Sequence, residues 1–463
     1  MTSLLHDRSR IALERSISRR NLGKVTIGAG AALGLSGSLG PSGVSAQDTV
    51  TVSFMHWGSA QEKDVLSGII KRFEEANPTI KIDQQFVVDA DDAYNTKINT
   101  LLAADNLPDL FYLNEARALQ WGEQGVILEM TPYMDKFANK IPQTLYYYAP
   151  GKLIGAMGAV ELALIFANKE IFEKTGVALP PVRAEEAWNW DQLIETAKLL
   201  TLDREGRNAS DPKFDADKIT QYGLTFPTWW LGWYPLIRSN GGDITDEAGT
   251  TCLLNAPESV ESFQKLQDLI YVHHVAPTPT AAEGLPASAQ QLQTGRVAMT
   301  IDGQWALLDM AAAKVPLALG VLPVFKTPVT NIVGATTVVS PKSEHLDAAL
   351  QFFFFLSDSA QVLDLCKSGL WMPTDATYYT DETLIASWTD NEVHPPEFKE
   401  SAMDYVMGYS VIGPILIKDW STISSRLDSH LDKVWSNASS AQEALDAATA
   451  EIQPMLTGRY PTS

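Results

Sequence analysis

The residues best suited to chemistry in this sequence are aromatic. Residues 226–234 read Phe-Pro-Thr-Trp-Trp-Leu-Gly-Trp-Tyr, and Asn, Gly, Gly and Asp follow at 240–243. A polyol ring has a flat, weakly apolar C–H face that an indole can cover, and a rim of hydroxyls that carboxylates and amides can bind. Each Trp taken alone could belong to a core, but three so close are not expected all to point into one core. The run therefore favours a surface for a hydroxyl-rich ligand.

Motifs for catalysis or for a cofactor are absent from the sequence. It contains no Gly-x-Ser-x-Gly, no His-Glu-x-x-His and no Gly-x4-Gly-Lys-Ser/Thr, the patterns of common hydrolases, zinc proteases and phosphate-binding loops. The two cysteines, Cys252 and Cys366, are too few for a disulfide framework or a four-cysteine zinc site, and we expect two buried thiols. We expect neither a cofactor nor a metal ion.

The balance of charge argues against a polyanionic partner. The 463 residues include 35 Lys and Arg against 56 Asp and Glu, a net charge of −21. Such a chain has no general electrostatic attraction to phosphate backbones or anionic lipid, so we expect no nucleic-acid partner. Apolar residues make up 45% and charged residues 20%, a composition typical of a globular protein and not of a disordered or integral membrane protein.

Residues 1–46 have the layout of an export signal. A basic stretch containing Arg19 and Arg20 precedes a Gly- and Ala-rich apolar run, and Val-Ser-Ala at 44–46 supplies small residues for cleavage. The adjacent arginines resemble the twin-arginine export pattern, with an ordinary amphipathic helix as the alternative. Cleavage after Ala46 would leave a net charge of −25. The residue next to the cleavage site is Gln47, so there is no cysteine at that position to carry a lipid anchor. We expect an exported protein without a lipid anchor.

The elements that must position the aromatic run alternate between strands and helices. Apolar residues predict strands at 49–54, 80–86 and 108–113, whereas 63–76 and 94–104 have the spacing of amphipathic helices. Further strands are expected at 162–166, 297–301 and 333–339, and further helices at 169–175, 190–200, 346–356 and, as a pair, within 422–456. This alternation predicts an α/β fold with a largely parallel sheet.

Six segments, in the correct order, carry a resemblance to a known family. They are Phe-Met-His-Trp-Gly at 54–58, Phe-Glu-Glu-Ala-Asn-Pro at 73–78, Leu-Ala-Ala-Asp-Asn-Leu-Pro-Asp-Leu at 102–110, Leu-Ile-Phe-Ala-Asn-Lys-Glu-Ile-Phe at 164–172, Trp-Asp-Gln-Leu at 190–193 and Gly-Arg-Val-Ala-Met-Thr-Ile-Asp-Gly-Gln-Trp at 295–305. Together they resemble the extracellular solute-binding proteins of ABC-type sugar importers, the maltose-binding-like group. The resemblance covers essentially the whole chain after the export signal.

The resemblance implies a type II periplasmic-binding-protein fold, in which two α/β lobes enclose a ligand and a membrane permease recognises the closed shape. The implied division is residues 47–160 plus 334–369 for the first lobe and 161–333 plus 370–463 for the second. Segments near 158–161, 333–335 and 369–371 would cross between them. A monomeric periplasmic or extracellular protein is expected, which binds a carbohydrate and delivers it to the permease without breaking a bond.

The resemblance also implies a set of ligand-binding residues. Trp305 matches a sugar-stacking Trp, and Asn114 and Glu115 match residues that hold sugar hydroxyls. The full expected set is Trp57, Ser59, Gln61, Asn114, Glu115, Trp229, Trp230, Tyr234, Asp302, Trp305 and Trp371. The loop after Trp57 lacks the acidic and lysine pair of maltodextrin binders, which argues against maltose itself. A polyol phosphate or a polyamine in the same scaffold, or a secreted glycosidase, are the alternative readings.

Overall fold

Two β-sheets, each the centre of a lobe, organise the computed structural model, which describes residues 49–88 and 92–463. The predicted export signal lies outside the described residues. The strands are β1 (Val50–Gly58), β2 (Ile80–Val88), β3 (Leu110–Leu113), β4 (Leu145–Ala149), β5 (Lys152–Ala156), β6 (Ala163–Asn168), β7 (Leu202–Asp203), β8 (Ile219–Thr225), β9 (Val297–Gly303), β10 (Leu317–Gly320), β11 (Thr330–Ile332), β12 (Thr336–Val339) and β13 (Ser410–Ile412).

Helices cover both sheets. They are α1 (Ala60–Ala76), α2 (Asp92–Ala103), α3 (Glu115–Glu123), α4 (Lys169–Thr175), α5 (Trp190–Leu200), α6 (Trp230–Ser239), α7 (Pro257–Tyr271), α8 (Pro279–Ala282), α9 (Ser288–Gln293), α10 (Ala306–Ala312), α11 (Leu346–Ser357), α12 (Leu363–Lys367), α13 (Glu382–Thr389), α14 (Tyr405–Tyr409), α15 (Trp420–Trp435) and α16 (Ala441–Ile452). Among the described residues, none of these helices is long and apolar enough to cross a membrane.

The first sheet has the parallel character that the sequence predicts. Its order is β12-β3-β1-β2, with β1 parallel to both β2 and β3 and only β12 antiparallel. The strand–helix–strand units formed by β1, α1, β2, α2 and β3 confirm the expected alternation. Local chemistry fixes these elements, since the Ser59 hydroxyl caps α1 and the Phe73, Ile69 and Leu66 side chains bury its apolar face.

The second sheet departs from the prediction of a largely parallel arrangement. Its order is β10-β6-β9-β8-β7, and only the β8–β9 pair is parallel. The reason lies in how the chain enters it, because the start of β6 at Ala163 pairs with the end of β9 at Gly303. A strand that begins where its neighbour ends must run antiparallel to it. Hydrophobic patterns do not record this direction.

Two segments connect the lobes side by side, one leading from β5 to β6 and the other from β11 to β12. The backbones of Glu161 and Val333 exchange hydrogen bonds of 2.9 and 3.0 Å, and the Gly158 N–H donates to the Ala335 carbonyl at 2.8 Å. Gly334 is required by this contact, since a Cβ on it would lie 2.1 Å from the carbonyl oxygen of Ala159. The strand predicted at 333–339 is accordingly interrupted, and β12 begins only after the crossing.

The region after α12 touches this crossing and then returns to the first lobe. Val160 N–H donates to the Met372 carbonyl at 3.0 Å, and Ile141 N–H donates to the Thr374 carbonyl at 2.9 Å. Contact with the second lobe is made at Gly369, whose carbonyl accepts from the Gln304 side chain at 2.8 Å, and again at Glu397, whose carboxylate accepts from the Leu319 N–H at 3.1 Å. We propose that the third passage between the lobes lies after α13 rather than at residues 369–371.

Candidate ligand cleft

Three exposed or partly exposed indoles lie at one edge of the second sheet. Because β8 and β9 are parallel, the loops that follow them meet at the same edge, and they bring Trp229 beside Trp305. The two rings are nearly parallel, with centroids 6.3 Å apart and planes inclined by 23°, and Trp230 stands perpendicular to Trp229 at 5.4 Å. Trp229 is 41% exposed. We name Trp229, Trp230 and Trp305 the aromatic wall.

Backbone glycines shape this wall. The Trp305 indole folds back over Gly303, where a Cβ would lie 2.2 Å from the ring, and the Trp230 indole lies over Gly413, where a Cβ would lie 2.6 Å from it. Both contacts are closer than any real side chain allows, so glycine is needed for the indoles to lie as they do. The wall is therefore held by tight packing behind it.

The other half of the aromatic run is buried, which corrects one predicted site residue. Tyr234, expected as an aromatic platform, is only 2% exposed, and its hydroxyl donates to the Asp243 carboxylate at 3.2 Å. Trp233 beside it is 1% exposed and donates its Nε1–H to the Thr228 carbonyl at 3.1 Å. The cause is the position of α6, since residues 231–237 are buried on every face of the helix and only its first residues lie at the sheet edge.

A cavity of about 340 Å³ opens next to Trp229 within the second lobe. Phe226 and Trp435 give it apolar surface, and Ser288, Gln291 and Asp302 give it polar groups. The Asp302 carboxylate accepts from the Ser288 hydroxyl at 2.7 Å and from the Gly303 N–H at 2.8 Å. Burial raises the pKa of Asp302. Aromatic faces beside fixed hydrogen-bonding groups are what a polyol ring requires.

Sequence reasoning identified Asp302 and Trp229 in this cavity but missed the other members. Ser288 and Gln291 lie three residues apart on α9, the short helix before β9, and Trp435 ends α15 far along the chain. A polar pair at that spacing occurs often by chance, so the sequence held no specific signal for it.

The first lobe places two of its predicted residues at helix starts. The Ser59 hydroxyl accepts from the Glu62 N–H at 3.2 Å, and the Asn114 side chain accepts from the Arg117 N–H at 3.0 Å. Each oxygen thus caps a helix, α1 or α3. Gln61 is exposed in the first turn of α1 and has no contact that assigns it to the site.

The remaining first-lobe candidates surround Tyr112. The Trp57 ring meets Tyr112 edge-on at 5.1 Å, and the buried Trp371 ring lies 6.5 Å from it. Tyr112 is 4% exposed, and its hydroxyl has no hydrogen-bond partner among the described residues. Glu115, also predicted, is buried, and its Oε1 accepts from the Gly334 N–H at 3.0 Å. This bond ties the start of α3 to the crossing segment.

Two further carboxyls, which the sequence did not single out, lie with Glu115. Glu62 is buried against Gly58, and burial together with the nearby Asp309 charge raises its pKa to about 8. Glu161 lies in the crossing segment, where burial and the charges of Glu115 and Glu62 raise its pKa well above the usual range. We name Glu62, Glu115 and Glu161 the acidic wall.

The structure thus brings the predicted residues together in two groups. Trp229, Trp230, Trp305 and Asp302 lie at the edge of the second sheet, while Trp57, Trp371 and Glu115 lie near the crossing. Cys252 and Cys366 are free and buried, as predicted. Within residues 49–88 and 92–463, no group of three or more His, Cys, Asp or Glu side chains is arranged to hold a metal ion.

Comparison with known proteins places this architecture in a family. The family described as bacterial extracellular solute-binding protein matches residues 59–362. The chain is similar to the ABC substrate-binding protein Lmo0181 of Listeria monocytogenes, solved with cycloalternan, with 25% identity, a TM-score of 0.75, and coverage of 88% of this chain and 99% of that one. It shares the fold of maltose-bound MalE3 of T. maritima at 18% identity, a TM-score of 0.73, and coverage of 88% and 100%.

A curated relative agrees with the structural likeness. The arabinooligosaccharide-binding protein of Halalkalibacterium halodurans is 24% identical over 295 residues, which is 61% of this chain and 60% of that protein. The family match extends over well more than half of the chain and includes every strand of the second sheet and three of the four strands of the first. The chain therefore belongs to the bacterial extracellular solute-binding proteins, with the two-lobed type II fold of their maltose-binding-like members.

Proposed function

We propose that this protein binds a carbohydrate, in particular an oligosaccharide, and delivers it to the membrane permease of an ABC importer. The aromatic wall and its adjoining cavity carry the proposal. Two near-parallel indoles can cover the faces of successive sugar rings, while Asp302, Ser288 and Gln291 can bind the hydroxyls of a ring in the cavity. The relatives named above are described as binding cycloalternan, maltose and arabino-oligosaccharides, which supports the same ligand class here.

Delivery requires that binding alter the shape of the protein. Ligand held between the lobes contacts both walls only when they approach each other, so it increases the population of the closed state. The segments at 158–161 and 333–335, bonded to each other, are the points about which the lobes would turn. A monomer suffices for this cycle, and we propose that the protein acts as one.

The proposed location follows from the family and from the sequence of the first 46 residues. An extracellular solute-binding protein works in the periplasm or outside the cell. We propose export through the twin-arginine route, cleavage after Ala46 and a mature protein without a lipid anchor, since the residue next to the cleavage site is Gln47 and not a cysteine. The protein would carry out no catalysis.

The alternative ligands fit this cleft less well. A phosphorylated polyol calls for clustered Lys or Arg, whereas the charged groups of the two walls are all carboxyls. A glycosidase would share the aromatic and acidic lining but would release new reducing ends.

The test is a titration of the full mature chain with linear and cyclic malto-oligosaccharides and arabino-oligosaccharides, followed by Trp fluorescence. We expect saturable changes without new reducing ends, and Trp305→Ala should cost about 1–3 kcal/mol of binding free energy, roughly 5- to 150-fold in affinity. Trp188→Ala, which changes a partly buried Trp outside both walls, serves as the control. Turnover of any oligosaccharide, or unchanged affinity in Trp305→Ala, would overturn the proposal.

A further inference from the structure

The cavity beside Trp229 is a dead end within the second lobe. Its base is formed by the second sheet, through the buried Ile301 of β9, together with the buried Ile270 of α7. Its rim is exposed and includes Trp229 and Ala282. Neighbouring strands of a sheet lie about 4.8 Å apart, too close for a sugar to pass between them. An oligosaccharide can enter this cavity from the rim but cannot leave through its base, so the ring that it holds must be a terminal one.

The size and position of the cavity determine how much of the chain it holds. Its volume of about 340 Å³ is near the lower limit of the roughly 300–1,000 Å³ that ligand pockets occupy. Trp229 belongs both to the rim and to the aromatic wall, where its ring lies nearly parallel to that of Trp305. A terminal ring in the cavity would therefore be followed by rings that stack on the aromatic wall.

Hydroxyls that line the cavity have already used their hydrogens. The Ser288 hydroxyl donates to the Asp302 carboxylate at 2.7 Å, and the Thr225 hydroxyl donates to that of Thr300 at 2.8 Å. A hydroxyl has one hydrogen and two lone pairs, so the Ser288 and Thr225 oxygens, like the Asp302 carboxylate, can accept from a ligand but not donate to it. Three prolines among the lining residues have no N–H to donate either.

Acceptors in the lining require donors on the ligand, and the free hydroxyls of a sugar are such donors. A glycosidic linkage replaces a hydroxyl of an internal ring by an ether oxygen, which has no hydrogen, so a terminal ring offers more donors. Among the described residues that line the cavity, Asp302 is the one acidic side chain and none is Lys, Arg or His. An anionic ring would place its charge beside Asp302 without a cation.

We propose that this cavity holds one terminal ring of the oligosaccharide, uncharged and with its hydroxyls unsubstituted, and that the protein therefore selects chains with a free end over cyclic ones. This inference rests on the proposed function and specifies its substrate class. A cyclic oligomer has no terminal ring and can use the aromatic wall alone. Because the second lobe forms the whole cavity, a terminal ring can enter it before the lobes close.

The experiment compares matched oligosaccharides on the full mature chain by calorimetry. Maltohexaose and linear arabinohexaose are each tested in three forms: unmodified, methylated on the hydroxyls of both terminal rings, or carrying a carboxylate on each terminal ring. Cyclomaltohexaose has as many rings as maltohexaose but no end. We expect the unmodified linear oligomer to bind at least about tenfold more tightly than its modified or cyclic counterparts, a difference of about 1.4 kcal/mol.

A variant at the rim locates the effect. Ala282→Phe places a larger side chain at the mouth of the cavity and should weaken the linear oligomer at least about tenfold, while the cyclic one is unaffected. Ala447→Phe, on the exposed face of α16 and outside the cavity, is the matched control and should bind as the wild type does. Should Ala282→Phe fail to fold, the comparison on the unmodified chain still decides.

The outcomes separate this inference from the proposed function. A smaller preference for the unmodified linear oligomer, or none, would overturn the terminal-ring cavity and leave oligosaccharide binding standing. The same holds if Ala282→Phe folds and binds the linear oligomer as tightly as Ala447→Phe does. The absence of saturable binding by any of these oligosaccharides would overturn both.

Discussion

The two walls of the cleft differ in how they are built. The aromatic wall comes from the loops after two adjacent strands of one sheet. Its indoles pack on glycines, and the buried Trp233 donates a hydrogen bond to the carbonyl of Thr228, next to Trp229. The acidic wall comes from α1, α3 and a crossing segment, and it consists of the buried Glu62 and Glu115 and the half-buried Glu161. The comparison shows that one wall offers aromatic faces and the other offers carboxyls whose pKa values are raised by burial.

The largest expected effect is a difference in stability between a variant in the exposed part of the aromatic run and a variant in its buried part. Trp233→Ala removes a buried indole from α6 and should lower the free energy of unfolding by about 3–5 kcal/mol. Trp229→Ala, one turn earlier and 41% exposed, should lower it by about 1 kcal/mol or less while weakening sugar binding. Urea denaturation of the two variants measures both. Equal destabilisation would mean that Trp229 belongs to the core.

The next prediction concerns the acidic wall and pH. The pKa of Glu62 rises from an ordinary 4.5 to about 8, so the folded protein holds a proton that the unfolded chain releases. Stability from this group is complete below about 4.5 and is lost as pH increases through about 8. Between these limits the free energy of unfolding should decrease by on the order of 2–4 kcal/mol more in the wild type than in Glu62→Gln.

Neighbouring groups define the conditions of that measurement. Asp309, Tyr112 and Glu161 act on Glu62 or respond to its charge, and Lys63 follows it on α1. Burial lowers the pKa of His56 to about 4, so this imidazole titrates below the window. Urea melts of both proteins at several pH values give the difference directly, and parallel curves would show that Glu62 does not titrate there.

The smallest effect tests the crossing that joins the two walls. Gly334→Ala would place a Cβ 2.1 Å from the Ala159 carbonyl oxygen, and the required shift should cost about 1–3 kcal/mol of stability. It should also weaken ligand binding, because the Glu115 carboxylate accepts from the Gly334 N–H. Gly68→Ala is the matched control, since nothing lies within 4 Å of its new methyl group and α1 should gain about 0.5–1 kcal/mol. A stable, fully binding Gly334→Ala would contradict the role of this segment.

The sequence predicted the elements from β1 to β3 well because each of them has a clear period, but it did not predict α3, β4 or β5. It did not predict the antiparallel pairing of the second sheet, since periodicity carries no information on where a strand enters. The sequence also did not show which residues of the aromatic run are exposed, as Trp229 is, and which are buried, as Tyr234 is. That distinction requires knowing where α6 begins.

The acidic wall was the least predictable part of the site. In the sequence, Glu62 looks like an ordinary acidic residue in the first turn of a helix, where a negative charge interacts favourably with the helix dipole. Its raised pKa depends on burial and on the charge of Asp309, which is distant in the chain and approaches it only in the folded protein. A sequence pattern can show that carboxyls are numerous, but only the fold shows which of them lack counterions.

Trp229 and Trp305 both belong to the second lobe, and this has a kinetic consequence for a ligand bound as proposed. A sugar can stack on both indoles while the protein is open, before the first lobe moves toward it. The association rate then depends on the indoles. The dissociation rate depends on the carboxyls of the acidic wall, which approach the bound ligand when the lobes close. Substitutions in the two halves should consequently alter association and dissociation separately.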